Sequence, residues 1–155
     1  MKVFKYNLKI YYEDTDFGGI VYHANYLKYF ERARSELIYS IGYSNKNLLD
    51  KHNVLIAVKT CNVDFKKPAK FEDKITVFTK VKSNTLTTIT MTQVIKRKSD
   101  ILCDAEIKLV SLNNLGKPVK LPKIFISKLV NWKFKYLCYL KILNNKVNIR
   151  YEIYN

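Results

Sequence analysis

The chain has 155 residues, of which 48% are hydrophobic and 14% aromatic, and this length and composition suit one domain with its own core. Its formal net charge of +15 suits an anionic partner but also has a compositional explanation, and no nucleic-acid-binding motif is present, so nucleic acid is not expected as a partner. Three widely spaced cysteines, Cys61, Cys103 and Cys138, argue against a disulfide framework, and the lack of a signal peptide or a long apolar run predicts a soluble cytoplasmic protein.

The first predicted elements are a strand and a long helix. Apolar and polar residues alternate from Phe4 to Tyr12, which is the period of a half-buried strand, and the acidic residues that follow should end it. Apolar residues then recur every three or four positions, which predicts an amphipathic helix from Ala24 to Ile41. Gly42 is placed to end this helix.

The middle of the chain has the pattern of a series of strands. A polar connection with short helical turns is expected at 43–53, followed by strands at 54–65, 75–81, 86–96 and 101–112. Ser83-Asn84 and Lys98-Ser99-Asp100 are predicted as turns between strands. Short turns imply an antiparallel meander, and a sheet curled around the helix would bury the apolar faces of both in an α+β fold.

The last part of the chain divides into a short helix and an extension. We predict the helix from Leu121 to Val130 and place a domain boundary there, so that residues 1–130 form the folded domain. The extension, 131–155, combines lysines with aromatic residues and alternates like a strand in its second half. Three roles stay open for it: an added edge element, the cover of a partner subunit, or a segment that lies on a membrane surface.

The residues with the most distinctive chemistry lie between the first strand and the helix. Gly18 and Gly19 permit a tight turn that brings backbone close to a bound ligand, while the first turn of the helix leaves N–H groups without intrahelical partners. Such groups stabilise negative charge, including the charge on the carbonyl oxygen of an ester or thioester under attack. Asp16 can serve as nucleophile or general base there, or it is an Asx-turn or helix-cap residue without a chemical role.

Three segments carry a resemblance to a known family: Asp14-Thr15-Asp16, GIVYHANY at 19–26 and FERARSE at 30–36. Together with a weaker match at 116–122, they resemble the hot-dog-fold acyl-CoA thioesterases of the 4-hydroxybenzoyl-CoA thioesterase type. The YbgC-like, Tol-Pal-associated branch is the most similar part of that family. The resemblance spans about residues 3–128 of the chain.

The resemblance implies a hot-dog fold, in which an antiparallel sheet curls around one long central helix, and hydrolysis of an acyl-CoA thioester by water. Asp16 matches the catalytic carboxylate of the family, and the amide of His23 matches the donor that polarises the thioester carbonyl. The His23 side chain matches a histidine that the YbgC-like branch needs for activity. Gly19 and Tyr22 are expected beside the substrate, Tyr22 as a packing or pocket-wall residue. Homodimers, often paired into tetramers, are implied, with each active site across a subunit interface.

No separate cofactor is implied, because coenzyme A is part of the substrate. No metal is implied either. Asp14, Asp16 and His23 would be a thin ligand set for a metal ion. The positive charge has two explanations: it reflects the composition of an AT-rich genome, or it attracts coenzyme A phosphates, an acyl-carrier protein or a membrane surface.

Two other functions stay open at this point. One is a different hot-dog enzyme, a hydratase or dehydratase of acyl thioesters, which product analysis distinguishes because only hydrolysis frees a thiol. The other is a non-catalytic protein that binds an anionic partner through its basic surface. The intact Asp16 and His23 weigh against this second alternative.

Overall fold

A computed structural model describes residues 3–132, in which a five-stranded antiparallel sheet packs against one long helix. The strands are β1 (Phe4–Lys9), β2 (Leu55–Phe65), β3 (Lys74–Asn84), β4 (Thr88–Arg97) and β5 (Asp100–Leu112). The helices are α1 (His23–Ser40), α2 (Asn45–His52) and α3 (Lys123–Val130), and a short 3-10 turn covers Tyr12–Asp14. None of the described helices is both long and apolar enough to cross a membrane.

The sheet has the strand order β1-β3-β4-β5-β2, and every neighbouring pair is antiparallel. The strands β3, β4 and β5 form the predicted meander, while β2 crosses over to pair with β5 along its whole length. Because β1 and β2 occupy the two ends of this order, they are the edge strands of the described sheet. Their position leaves one side of each strand without a described β partner.

Helix α1 and the inner face of the sheet supply most of the core, and α2 and α3 add buried residues to it. Phe30 and Ala33 on α1 are fully buried, as are Val77 on β3 and Ile95 on β4. Burial of one large apolar side chain of this kind stabilises the fold by about 1.5–3 kcal/mol. Gly42, with a φ of +82°, follows the end of α1 as predicted. The α+β arrangement predicted from the sequence is therefore confirmed.

The first strand is shorter than predicted, because β1 ends at Lys9 and not at Tyr12. The Asp14 carboxylate accepts a hydrogen bond from the Tyr11 N–H at 2.8 Å, which diverts the backbone into the 3-10 turn. A carboxylate that bonds nearby backbone competes in this way with the strand ladder. Tyr12 is consequently 75% exposed and does not extend the buried face of the strand.

The turn between β3 and β4 also lies later than predicted, after Asn84 and not at Ser83-Asn84. The Thr85 hydroxyl accepts the Thr88 N–H at 3.0 Å, and the Thr85 N–H donates to the Thr88 carbonyl at 2.9 Å. A threonine can form a turn through its own hydroxyl, a weaker sequence signal than the Ser-Asn pair. The turn at Lys98-Ser99 is confirmed, although Asp100 already belongs to β5.

The other boundaries agree with the sequence within a few residues. Helix α1 begins one residue before the predicted Ala24, and α2 occupies part of the predicted polar connection, capped by Ser44, whose hydroxyl accepts the Asn47 N–H at 2.9 Å. Helix α3 ends at the predicted Val130.

The described chain continues to Trp132, which packs on the domain. The Trp132 ring meets Phe4 edge-on, with ring centroids 5.4 Å apart, and its indole N–H donates to the Ser40 hydroxyl at 2.8 Å. The predicted strand-like pattern in the extension falls on residues 133–155, which lie outside the described residues. The division into 1–130 and 131–155 therefore stays a prediction.

Candidate active site

The turn that carries Asp16 is closed by its own backbone. The Asp16 N–H donates to the Ile20 carbonyl at 2.9 Å, and the Gly19 N–H donates to the Asp16 carbonyl at 3.0 Å. Thr15 and Val21 pair across the base of the turn as an antiparallel bridge. Gly19 has a φ of +71°, a conformation that strains residues with a side chain, which explains glycine at this position.

The Asp16 side chain is exposed and is oriented by a short hydrogen bond. Its Oδ1 atom accepts the Gly18 N–H at 2.8 Å, which makes the Asx turn anticipated from the sequence. A Cβ atom at Gly18 would lie 3.1 Å from the same oxygen, so only glycine leaves this carboxylate undisturbed. One oxygen is thus held by the turn, while Oδ2 has no hydrogen-bond partner among residues 3–132. The turn and the chemical role proposed for Asp16 are compatible.

Helix α1 begins at His23, directly after the extended residue Tyr22, whose φ is −59° and ψ is 130°. Among the described residues the His23 N–H has no acceptor, as expected for the first turn of a helix. The helix is 18 residues long, so its N-terminus carries the full partial positive charge of a helix dipole. This end of the helix therefore stabilises an anionic group or an oxygen that gains negative charge.

Hydrogen bonds from residues at the start of α1 hold the Asp16 turn in place. The Asn25 side-chain amide donates to the Asp14 carbonyl at 2.8 Å, and the Tyr22 N–H donates to the same oxygen at 2.9 Å. The Tyr26 hydroxyl accepts the Ala69 N–H at 2.9 Å. The position of the carboxylate is in this way coupled to the start of α1.

On its other side, the chain after the Asp16 turn is tied to the segment before β3. The Val21 N–H donates to the Ala69 carbonyl at 2.9 Å, and Ile20 forms a bridge with Lys70. The sequence patterns indicated no site role for Asn25, and for Tyr26 only a place on the apolar face of the helix. Both lie within the GIVYHANY segment, so the signal was present in the sequence, but their partners were not predictable from it.

His23 lies at the edge of a cleft of about 260 Å³. The cleft is lined by Ile20, Val21, His23, Tyr26, Phe65, Lys66, Lys67 and Pro68. The imidazole of His23 stands edge-on to the Phe65 ring, with centroids 6.5 Å apart, and contacts the Tyr22 ring at 4.5 Å. Phe65, at the end of β2, was not anticipated as a site residue. Asp16, Gly19 and Tyr22 lie beside the cleft in the chain but are not among the residues that line it.

The two lysines at the cleft are held by exposed carboxylates. Lys66 lies 2.7 Å from Asp64 and 3.1 Å from Asp104, and Lys67 lies 2.7 Å from Asp100. These hydrogen-bonded carboxylates raise the pKa of Lys66. Exposed pairs of this kind contribute about 0–1 kcal/mol each, so both ammonium groups can exchange partners readily.

No group of three or more His, Cys, Asp or Glu residues suited to a metal ion occurs in the part of the chain that the structure describes. The predicted absence of a separate cofactor is not tested by this observation. What the described site offers is an exposed carboxylate, a helix N-terminus and a histidine beside an aromatic wall.

Known proteins similar to this chain are thioesterases. The model of the thioesterase-like superfamily matches residues 11–129. The acyl-CoA thioesterase YbgC of Haemophilus influenzae is 39% identical over 122 residues, which cover 77% of this chain and 89% of that protein. The acyl-CoA thioester hydrolase YbgC of Escherichia coli O6:H1 is 33% identical over 128 residues, 81% of this chain and 95% of that protein.

A solved structure with a similar fold is that of a probable thioesterase from Bartonella henselae. It superposes with a TM-score of 0.76 at 31% identity and covers 78% of this chain and 100% of that chain. The predicted hot-dog architecture is thereby confirmed at the level of the fold.

Proposed function

The chain belongs to the thioesterase-like superfamily, and from this premise we propose that it hydrolyses an acyl-CoA thioester to the free acid and coenzyme A. One observation carries the proposal: the backbone at the base of the Asp16 turn, at the Asp14 carbonyl, is hydrogen-bonded to residues at the start of α1. A carboxylate and a set of unpaired N–H groups are the two parts that attack on a carbonyl requires. The relatives named as acyl-CoA thioesterases support coenzyme A as the carrier of the acyl group.

In the proposed reaction the thioester oxygen lies against the His23 N–H at the start of α1. As an oxygen nucleophile attacks the carbonyl carbon, the negative charge that develops on that oxygen is stabilised by the N–H group and the helix dipole. One such donor typically contributes about 2.7–4 kcal/mol to the lowering of the barrier. The C–S bond then breaks, and coenzyme A leaves as a thiolate that takes up a proton.

Asp16 supplies the other half of the reaction by one of two routes. As a general base it removes a proton from the attacking water, and as a nucleophile it forms an acyl anhydride that water cleaves in a second step. The Gly18 N–H that holds Oδ1 leaves Oδ2 for either role. The His23 side chain orients or polarises the thioester, Gly19 lets the backbone approach it, and Tyr22 supports the His23 ring.

The lysines around the cleft suit the phosphates of coenzyme A. Lys66 and Lys67 line the cleft and are paired with exposed carboxylates that a phosphate can displace. The net charge of +15 attracts an anionic substrate over a longer distance. An acyl-carrier protein as the donor, a membrane surface as a docking site and a cytoplasmic location stay predictions.

We also propose that the enzyme works as a homodimer or a pair of dimers, with β2 at the contact. This edge strand exposes Leu55, Val58 and Phe65, of which Val58 is 52% exposed. Long edge strands with exposed apolar residues favour pairing with another chain. Since Phe65 also lies beside His23, such a contact would place the active site next to the second subunit. Light scattering should show a multiple of the mass of one chain that falls for Val58→Lys.

The proposal is tested by release of thiol from a series of acyl-CoAs of graded length, with the acid product identified by mass spectrometry. Cys61 is a free, exposed cysteine, so we expect it to react with the thiol reagent, and the protein alone sets the baseline. Equal amounts of thiol and free acid are expected from at least one substrate. A modified acyl-CoA without free thiol would indicate a hydratase or dehydratase and would overturn the proposal.

A further inference from the structure

A second cavity lies between α1 and β2, the same two elements that carry His23 and Phe65. It has a volume of about 620 Å³. Its lining combines apolar and charged side chains: Leu27, Lys28, Glu31, Arg32, Arg34, Val58, Cys61 and Ile107. Leu27 follows His23 by four residues and so lies on the same face of the helix. The cavity therefore lies along α1 from the candidate active site and is a groove large enough for an acyl chain.

Arg34 is the unusual member of this lining, because it is only 8% exposed. Its Nη1 atom donates to Gln93 Oε1 at 2.8 Å. The Gln93 amide nitrogen donates to the Phe30 carbonyl at 3.0 Å and to the Thr79 hydroxyl at 2.8 Å, which fixes its oxygen toward Arg34. The guanidinium is in this way held in one orientation by the core.

The charge of Arg34 is not neutralised by an ion pair. No carboxylate oxygen among residues 3–132 lies within 4.0 Å of its guanidinium, and the neighbouring Glu31 carboxylate accepts the Ser35 hydroxyl at 2.7 Å. Burial lowers the pKa of Arg34, against the opposing influence of Glu31 and Cys61. A guanidinium has five N–H donors, and one of them has an acceptor in the described chain. The other guanidinium nitrogens are not among the fully buried, unpartnered atoms of the described chain, so a ligand in the groove can reach them. A largely buried cation is normally paired with an anion, because leaving it unpaired is costly.

We propose that Arg34 binds the distal end of the acyl group in this groove and selects acyl groups with a carboxylate at the end remote from the thioester. This inference rests on the proposed function and adds the substrate class to it. His23 and Arg34 are about three helical turns, or about 16 Å, apart along α1, so the thioester and a distal carboxylate of one extended chain reach both. The planar fork of Arg34 matches a carboxylate with two parallel hydrogen bonds.

The same geometry disfavours a plain fatty acyl chain long enough to reach Arg34. Its terminal methyl group would displace water from a buried guanidinium without replacing the hydrogen bonds. Leu27, Val58 and Ile107 also line this groove and suit the methylene groups of an acyl chain. The groove thus combines apolar side chains with charged ones, and Arg34 is the cation in it that the core holds in place.

The test compares two acyl-CoAs of matched carbon number, one ending in a methyl group and one in a carboxylate, on wild type, Arg34→Met and Arg34→Lys. The measured quantity is the ratio of kcat/KM for the two substrates, which does not depend on the fraction of folded enzyme. Wild type should prefer the carboxylate at the length that reaches Arg34, and Arg34→Met should lower the ratio by about tenfold or more. Arg34→Lys, which keeps the charge but not the fork, should give an intermediate ratio.

Lys80→Met is the matched control, because Lys80 is exposed on β3 and its loss removes the same charge outside the groove. Its substrate ratio should equal that of wild type. An equal ratio in wild type and Arg34→Met overturns the proposal, as does hydrolysis of methyl-ended substrates alone. Either result leaves the thioesterase function intact, whereas no hydrolysis of any acyl-CoA by the wild type refutes that function itself.

Discussion

Replacing Tyr26 with Phe removes a hydroxyl oxygen behind the candidate site and leaves the aromatic ring in place. This oxygen accepts the Ala69 N–H at 2.9 Å, and Tyr26 and Ala69 are 3% and 0% exposed. Without it, the Ala69 N–H has no acceptor in a region that excludes water, which costs about 1–3 kcal/mol of folding free energy. A chain of this size loses about 2–4 °C of Tm per kcal/mol, so Tm should fall by roughly 2–12 °C.

The same change should also lower activity, because the Ala69 carbonyl accepts the Val21 N–H next to the Asp16 turn. A shift of a fraction of an ångström at this turn should reduce kcat by about tenfold with little effect on KM. Thermal unfolding by circular dichroism and initial rates of thiol release measure the two effects. The control is Tyr39→Phe, since Tyr39 lies on the same helix but is 52% exposed. Its stability should stay within about 0.5 kcal/mol of wild type, and a Tyr26→Phe protein with equally small changes would refute the reasoning.

Three further predictions follow from the described contacts. Asn25→Ala removes the donor to the Asp14 carbonyl and should lower kcat by about 10- to 100-fold at unchanged KM, while the control Asn7→Ala, on β1, should leave the rate unaltered. Equal kinetics for the two variants would contradict the coupling of the Asp16 turn to the start of α1. Deletion of 133–155 should preserve activity. Deletion of 131–155 also removes Trp132 and its contacts, so melting curves should show a lower Tm for this truncation than for the shorter one. If positive charge attracts coenzyme A, KM should rise between low and physiological salt at constant kcat, and salt-independent kinetics would favour the compositional explanation of the lysines.

The elements that were predictable from the sequence are those encoded by local periodicity. The period of apolar residues gave α1 to within one residue at each end, and the alternation of polar and apolar residues placed β5 correctly. The glycine positions were also informative, because Gly19 and Gly42 both adopt positive φ where a turn and a helix end were expected. In each case the residues that determine the local structure lie within a few positions of it in the sequence.

The parts that were missed depend on side chains that bond backbone or on partners far along the chain. The carboxylate of Asp14 and the hydroxyl of Thr85 redirect the backbone by bonds that periodicity does not register. Tyr26 and Ala69 are 43 positions apart, and Arg34 and Gln93 are 59 apart. To predict such pairings one must know the order of the strands in the sheet, because β4 lies beside the helix only once the whole sheet has formed.

The central claim is that the Asp16 carboxylate acts on a thioester held at the start of α1. Asp16→Asn tests it most directly, because the side-chain oxygen of asparagine can still accept the Gly18 N–H and so keep the turn. The measurement is kcat together with the Kd of the same acyl-CoA, with Asp50→Asn on α2 as the charge-matched control. The account predicts a loss of at least about a hundredfold in kcat, with Kd and Tm close to wild type. An Asp16→Asn enzyme that binds substrate and retains more than about a tenth of the wild-type kcat would contradict it.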